Sequence, residues 1–295
     1  NRVFDFPTSE NAMTGIAIGS SLLGMRPVIT HIRVEFSLLS MEQIINQAAK
    51  WFFMNAGQKS VPLVIRVLIG RGWGQGPQHS QSLESVFAHI PGLKVVCPTN
   101  PLNAKGLLIS SIEDNNPVIF FEHRWLHETR GTVPKKYYKT SIGKACVLKK
   151  GKDITIISSS YMVLECLRSS KIIKNYFINA EIVDLQSIRP LDINTIMKSV
   201  LKTKKVLVVD NGWMSFGISA EIIAKIYENL KLKDKKKVIL KRIGLANTPM
   251  PSTRELAKYC YPSYLTICKE VGKLLNKNLK NLNRYDKKMP SDQPN

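Results

Sequence analysis

The feature that most constrains the fold is a repeated alternation of short, apolar, β-branched runs with longer segments of helical periodicity. The run 61–69 is typical of a buried strand, and residues 10–24 show helical spacing that ends at Gly24. Strands that alternate with helices favour a parallel sheet covered by helices on both faces. Because the alternation occurs in two blocks, the sequence predicts an α/β fold of two three-layer α/β/α domains with mostly parallel sheets.

The two blocks set the expected domain boundaries. We expect a first domain over residues 1–125, a linker over 126–148, a second domain over 149–280 and a loosely packed polar tail over 281–295. A chain of 295 residues with 44% hydrophobic side chains has enough apolar material for two cores. No apolar run is long enough to cross a bilayer, so we predict no membrane partner.

The net charge of +21 is the main argument for a nucleic-acid partner, but its distribution weakens that argument. Residues 1–148 carry 15 basic and 9 acidic side chains, whereas residues 149–295 carry 28 and 13. The excess lies largely in lysine-rich turns such as 231–237, without the interleaved aromatic residues that stack on bases. We interpret the charge as a solvated face or a docking surface for an acidic partner and expect no nucleic-acid partner. A basic nucleic-acid-binding or scaffold protein stays the alternative of another class.

Cysteine usage and short motifs exclude several other classes. Five cysteines without a CxxC pair favour free, structural thiols in a reducing compartment. The loop 70–76 has glycine at every second position, but it matches neither GxGxxG nor GxxxxGK[ST]. The sequence also lacks HExxH, EF-hand and GxSxG patterns, so it does not support zinc-protease, calcium-sensor or serine-hydrolase chemistry.

Seven short stretches together carry more information than any one of them. They are 4–17 (FDFPTSENAMTGIA), 35–50 (EFS and QIINQAAK), 76–81 (GPQHSQ), 91–96 (PGLKVV), 114–118 (DNNPV), 188–192 (IRPLD) and 212–217 (GW and FG). In this order and spacing they resemble the β-subunits of pyruvate and branched-chain 2-oxo acid dehydrogenases. The resemblance spans about residues 2–275. It implies a pyrimidine-binding, transketolase-like domain over 1–125 and a transketolase C-terminal-like domain over 149–280.

The resemblance also implies the cofactor and the partners. The family uses thiamin diphosphate, with magnesium held mainly by an α-subunit in an α2β2 heterotetramer. The Gly-Asp-Gly and Asn-Asn motif that binds diphosphate in thiamin enzymes does not occur in this sequence. Half of the cofactor site is therefore expected from the α-subunit. The chain starts at Asn1, where the family has further residues, so we expect a truncated N-terminus.

Three side chains match the family's active-site positions. Glu10 matches the carboxyl that hydrogen-bonds the pyrimidine ring, a charge-assisted bond that promotes loss of the thiazolium proton. It is therefore expected to be both catalytic and cofactor-binding. Phe36 matches the aromatic residue placed against the pyrimidine ring. His79 matches a histidine near the reacting carbon, where it can exchange protons near neutral pH.

Further polar residues are expected to be secondary to that site. Ser111, Asp114 and Asn116 match a segment that holds a potassium ion in some relatives, although a polar helix-to-strand turn explains it equally well. His31 is interpreted as structural, and His123 stays open as a site residue.

The expected activity is oxidative decarboxylation of a 2-oxo acid, pyruvate or branched-chain. The acyl group then passes to a lipoyl group on an acyltransferase core. An acetoin dehydrogenase β-subunit is the alternative. We expect a bacterial cytoplasm, or a mitochondrial or plastid matrix if a leader has been removed. The apolar segment 38–55 is expected to form core, with a subunit contact as the alternative.

Overall fold

The computed structural model describes residues 2–286, and these form two five-stranded sheets. The first sheet contains β1 (Val28–His31), β2 (Val64–Ile69), β3 (Lys94–Val96), β4 (Val118–His123) and β8 (Ser187–Arg189). The second sheet contains β5 (Cys146–Lys149), β6 (Ile154–Ser158), β7 (Ala180–Asp184), β9 (Lys205–Trp213) and β10 (Ile239–Leu245).

Both sheets are mostly parallel, as predicted. Their strand orders are β1-β2-β4-β3-β8 and β10-β9-β6-β7-β5. Each sheet has one antiparallel strand at an edge, where β8 pairs with β3 and β5 pairs with β7. The remaining pairs are parallel and are connected through helices, so the predicted α/β fold class is confirmed.

Helices connect the strands and cover the sheets. They are α1 (Glu10–Leu22), α2 (Val34–Ser37), α3 (Ala49–Met54), α4 (Glu84–His89), α5 (Pro101–Glu113), α6 (Ser160–Lys174), α7 (Ile193–Thr203), α8 (Ile218–Asn229), α9 (Leu232–Lys235), α10 (Arg254–Ala257) and α11 (Tyr264–Leu274). Short 3₁₀ turns occur at Leu38–Ser40, Pro77–His79, Arg124–Leu126 and Leu282–Tyr285, and a π-helical segment at Gln43–Ala48. The helix expected over 38–55 is thus a succession of 3₁₀, π and α turns.

Burial on both faces explains why the strands are almost continuously apolar. In β3, Val95 packs into one core cluster and Val96 into another on the opposite face. In β6, Ile156 and Ile157 divide in the same way. Alternating side chains point to opposite faces of a strand, so each sheet supplies two cores. Full burial of a Val or Ile side chain stabilises the fold by about 1.5–3 kcal/mol.

The two domains are joined by more than the chain that links them. Strand β8 comes from the second half of the sequence but extends the first sheet by pairing with β3. Arg189 Nη1 donates to the carbonyl oxygen of Ala88 at 2.8 Å, and Cys97 N donates to Gln186 O at 2.8 Å. These contacts place the second domain against the end of the first sheet.

Two segments differ in detail from the expectations. Strand β5 begins at Cys146, inside the segment 126–148 that the sequence suggests is a linker. Residues 281–286 of the expected tail are packed, because Leu282 is buried in the second core and Tyr264 Oη donates to Tyr285 O at 3.0 Å. The rest of the tail, 287–295, lies outside the described residues.

The apolar residues of the segment 38–55 are not all buried. Ile44 is buried in the first core, as expected, whereas Phe53 is 87% exposed. The sequence could not separate these cases, because the irregular turns rotate the apolar residues away from a single face.

Candidate active site

The candidate site lies where the parallel strands of the first sheet end. Strand β1 leads into residues 32–36, β2 into the glycine-rich loop 70–76, and β4 into the 3₁₀ turn Arg124–Leu126. Ligands of open parallel sheets bind beyond the carboxyl ends of the strands. This edge carries two of the three predicted site residues.

The rings of Phe36 and His79 meet at this edge. Their centroids are 5.4 Å apart with an interplanar angle of 59°, and both side chains are partly exposed. Glu35 Oε1 accepts a hydrogen bond from Gln81 N at 2.7 Å, which ties α2 to the segment that follows His79. The structure therefore brings together two residues that are 43 positions apart in the sequence.

Glu10 lies in the first turn of α1, where the sequence places it. Its side chain is partly buried, and its carbonyl oxygen accepts from Thr14 Oγ1 at 2.8 Å. A carboxylate in the first turn is favoured by about 0.3–1 kcal/mol through the helix dipole. Helix α1 packs on β1 and on the helical turns 38–48, and the Glu10 carboxylate acts electrostatically on His31, the last residue of β1.

His31 is electrostatically coupled to Glu10. Burial lowers the pKa of His31 to about 4, against the raising effect of the Glu10 carboxylate. The imidazole is therefore neutral at physiological pH, and its Nε2 has no hydrogen-bond partner among residues 2–286. The sequence suggested a structural role, but the structure places His31 within the electrostatic reach of Glu10.

Two buried arginines at this edge were missed by the sequence analysis. Arg33 Nη1 donates to the carbonyl oxygen of Gly70 at 2.9 Å, and the guanidinium carbon of Arg124 lies 3.2 Å from the ring centroid of Trp73. His123, next to Arg124, is fully buried against Gly70, and burial lowers its pKa to about 3. The sequence offered one indication of these residues, because a polar His-Arg pair follows the apolar run of β4.

Two family models together cover most of the chain. Residues 1–128 match the transketolase pyrimidine-binding domain, and residues 143–267 match the transketolase C-terminal domain. The acetoin:2,6-dichlorophenolindophenol oxidoreductase subunit beta of Cupriavidus necator is 38% identical over 275 residues, 93% of this chain and 81% of that protein. The pyruvate dehydrogenase E1 component subunit beta of Porphyra purpurea is 44% identical over 229 residues, 78% and 69% of the two chains. The chain belongs to the pyruvate and acetoin dehydrogenase β-subunit family.

Further relatives agree with this membership. The mitochondrial pyruvate dehydrogenase E1 component subunit beta of Mus musculus is 37% identical over 281 residues, 93% of this chain and 77% of that protein. A solved structure entitled "Split gene transketolase, inactive beta4 tetramer" superposes with a TM-score of 0.77 at 20% identity. It covers 92% of this chain and 83% of that chain, and shows the shared fold.

Positively charged side chains of the protein already occupy the segment 111–116, which matches a potassium-binding segment of some relatives. The Asp114 carboxylate pairs with Lys94 and accepts from Asn116 N at 2.9 Å. Arg26 Nη1 donates at 2.9 Å to the carbonyl oxygen of Asp114 and to that of the residue two positions before it. The Ser111 hydroxyl donates within its own helix. These contacts do not fit a cation, which would compete with Arg26 for the carbonyl oxygens.

The described part of this family member shows no other metal centre. No group of three His, Cys, Asp or Glu side chains in residues 2–286 is arranged to hold an ion. The five cysteines are free thiols, and four of them are buried. No helix in the same range has the length and apolarity needed to cross a membrane.

A separate cavity of about 500 Å³ lies beside β4, on the side of α5. Its charged wall is internally paired, because Arg66 Nε donates to Glu122 Oε1 at 2.6 Å and His127 Nε2 lies 3.4 Å from Glu122 Oε2. Lys105 also lines the cavity, and its Nζ donates to the backbone carbonyl oxygens of residues 134–136. The charged side chains of this wall are therefore engaged by groups of the protein.

Proposed function

We propose that this chain is the β-subunit of a thiamin-diphosphate-dependent 2-oxo acid dehydrogenase. The enzyme would oxidatively decarboxylate pyruvate or a branched-chain 2-oxo acid and pass the acyl group to a lipoyl arm. The contact between the rings of Phe36 and His79, at the sheet edge that Glu10 also borders, is the observation that carries this proposal. The relatives named pyruvate dehydrogenase E1 subunit beta support it.

The residues at the edge fit the pyrimidine end of the cofactor. When bound, thiamin diphosphate supplies a carbon nucleophile and absorbs the electron pair left by decarboxylation. Phe36 offers a partly exposed ring to an aromatic ligand, a contact worth about 0.5–1.5 kcal/mol beyond area burial. Glu10 would hold a proton between its carboxyl and a ring nitrogen. The buried Oε2 of Glu35 has no donor among the described residues, as expected beside a polar ligand.

His79 has the tautomer that proton exchange with a substrate adduct requires. Its Nδ1 lies 2.8 Å from the carbonyl oxygen of Gln78. A carbonyl only accepts, so Nδ1 carries a proton and Nε2 is left to accept or return a proton. General acid–base catalysis of this kind typically contributes about 10²–10⁴-fold.

The magnesium and diphosphate half of the cofactor site would come from a partner subunit. The sequence has no diphosphate motif, so an α-subunit would bind magnesium and the diphosphate in an α2β2 body. The second half, with 28 basic and 13 acidic side chains, is free to face a lipoyl acyltransferase core. Five free cysteines fit a reducing compartment, either a bacterial cytoplasm or an organelle matrix.

An acetoin dehydrogenase β-subunit is the second candidate. It is favoured by the 38% identity to the Cupriavidus necator oxidoreductase. The two candidates share the cofactor and differ in whether the substrate carries a carboxylate.

Reconstitution tests the proposal. The chain is co-expressed with an α-type subunit of the same genome, and dye reduction is followed with pyruvate, 3-methyl-2-oxobutanoate and acetoin. We expect cofactor-dependent turnover by the complex and no tight binding of thiamin diphosphate and magnesium by the lone chain in calorimetry. Micromolar binding by the lone chain, or no turnover by the complex with any substrate, would overturn the proposal.

A further inference from the structure

Two arginine side chains are buried beneath the glycine-rich loop 70–76. Arg33 is 3% exposed and Arg124 is 6% exposed, although both lie at the edge of the sheet and not in its core. They come from different strands, since Arg33 follows β1 and Arg124 follows β4. Their charges interact, because the positive charge of Arg124 adds to burial in lowering the pKa of Arg33.

Neither guanidinium is fully satisfied by the protein. Arg33 Nη1 donates to Gly70 O, but Arg33 Nη2 and Arg124 Nε are buried without an acceptor among residues 2–286. Burial alone lowers the pKa of Arg124, which indicates that no carboxylate of the described residues compensates its charge. Glu35 and Tyr261 raise the pKa of Arg33, whereas no acidic group acts in this way on Arg124.

This arrangement is costly without a further negative charge. Each buried donor left without an acceptor costs about 1–3 kcal/mol, and more when the group is charged. The guanidinium group offers donors in a planar fork that matches a carboxylate in two parallel hydrogen bonds. A carboxylate would therefore satisfy both the free donors and the excess charge.

The loop above the arginines is built to cover them closely. A Cβ at Gly72 would lie 2.6 Å from Cδ of Arg124, so only glycine lets the backbone approach it. Trp73 has a positive φ of 53° and lays its exposed ring over the guanidinium of Arg124. Backbone strain of this kind costs about 1–3 kcal/mol and is concentrated at ligand-binding sites. The same loop leads directly into the turn Pro77–His79.

We propose that Arg33 and Arg124 recognise the carboxylate of the 2-oxo acid, with Trp73 closing over it. This inference rests on the proposed function and deepens it. The arginines make the site selective for acids over neutral acyloins such as acetoin, and they act in binding the substrate before the carboxylate leaves as carbon dioxide. A carboxylate could also come from an acidic side chain of the α-subunit, and the test separates the two sources.

The test compares an acid with a neutral substrate that yields the same two-carbon fragment. Arg124→Leu, Arg124→Lys and the control Arg130→Leu are prepared in the αβ complex; Arg130 is exposed and lies six positions further on. KM and kcat are measured with pyruvate, 3-methyl-2-oxobutanoate and acetoin. We expect Arg124→Leu to raise KM for the acids about 10- to 100-fold, with KM for acetoin and the αβ affinity unchanged. Arg124→Lys should restore part of the loss.

Other outcomes overturn the inference. If Arg124→Leu raises KM equally for acids and acetoin, or weakens αβ association in sedimentation, the arginine pairs with a partner side chain or is structural. A complex that turns over neither kind of substrate refutes the proposed function instead. Tryptophan fluorescence then decides the inference. Pyruvate should change the emission of the parent complex, and Trp73→Phe and Arg124→Leu should each abolish that change; an unaltered response in either variant contradicts it.

Discussion

The two domains share one architecture, but the buried arginines at the edge of the first sheet lack the partners that buried Glu165 has in the second domain. In the second domain, the carboxylate of Glu165 is 0% exposed, and both of its oxygens are hydrogen-bonded. It accepts from Tyr161 Oη at 3.0 Å and from Tyr264 N at 2.8 Å. It also forms an ion pair with Arg168. In the first domain, Arg33 and Arg124 are buried without such partners. The second domain satisfies this charge within itself.

The difference indicates where the molecule is incomplete by itself. Buried polar atoms without hydrogen-bond partners destabilise a protein. Their concentration at one sheet edge therefore indicates that a ligand or a partner subunit supplies the missing hydrogen bonds there. That edge holds Phe36 and His79 and is the one to which the cofactor, the substrate and the α-subunit are assigned. Changes at the edge should therefore affect activity, and changes to the paired charges of the second domain should affect stability.

The largest effect is expected for Glu10→Gln in the reconstituted complex. The amide cannot hold the proton that the carboxyl shares with the pyrimidine, so activity should fall by about 10²–10⁴-fold with the fold retained. Steady-state turnover and circular dichroism check this. Glu221→Gln, in the exposed first turn of α8, is the matched control. Activity of Glu10→Gln within about twofold of the parent would remove Glu10 from the site.

His79→Ala should slow turnover with little change in cofactor affinity. The side chain is assigned to the substrate and not to the pyrimidine, so kcat should fall by about 10²-fold. The measurement is kcat against a titration with thiamin diphosphate, and His89→Ala, on the exposed end of α4, is the control. Weaker cofactor binding with unchanged kcat would contradict the assigned role.

Glu84→Gln should stabilise the protein at alkaline pH. Burial raises the pKa of Glu84 from 4.5 to about 8, with a smaller contribution from Asp210. The folded state thus keeps a proton that the unfolded state releases above pH 4.5, and stability falls from there up to pH 8. The slope is at most about 1.4 kcal/mol per pH unit, so the variant should gain on the order of 3–4 kcal/mol at pH 8 relative to pH 5.

Denaturant unfolding at the two pH values checks this prediction. Glu128→Gln, an exposed position, should follow the parent at both. If the difference in unfolding free energy between Glu84→Gln and the parent is the same at pH 5 and pH 8, the pKa of Glu84 is not raised in the folded state.

The smallest effect is expected for Arg168→Leu in the second domain. Glu165 keeps two neutral donors but loses its cation, which should cost about 1–2 kcal/mol of unfolding free energy. The turnover of the folded complex should not change. Arg124→Leu should lower turnover of the acids without lowering the unfolding free energy, because it removes a buried charge that has no carboxylate partner among the described residues. If Arg124→Leu destabilises more than Arg168→Leu, the contrast between the two domains is wrong.

Local pattern was enough to predict most of the fold. The apolar runs at β2 and β6 are buried on both faces, and a strand of this kind carries its signal in a few consecutive residues. Glu10 was placed in the first turn of a helix for the same reason, since helix starts are encoded by neighbouring residues. Whether the segment 111–116 can bind potassium, in contrast, could not be predicted from local pattern. The carbonyl oxygen of Asp114 is occupied by Arg26, which is far from it in the sequence and close to it in space.

Sequence patterns were sufficient to predict the two α/β domains and the family, and they gave Glu10, Phe36 and His79 as predicted site residues. These follow from short-range periodicity and from motifs, which need no knowledge of distant contacts. Contacts between distant parts of the chain were needed to show that β8 joins the first sheet, that Phe36 meets His79, and that Arg33 and Arg124 are both buried. Such pairings depend on the order and register of strands far apart in the chain. The residue type alone does not reveal whether an arginine is solvated or buried.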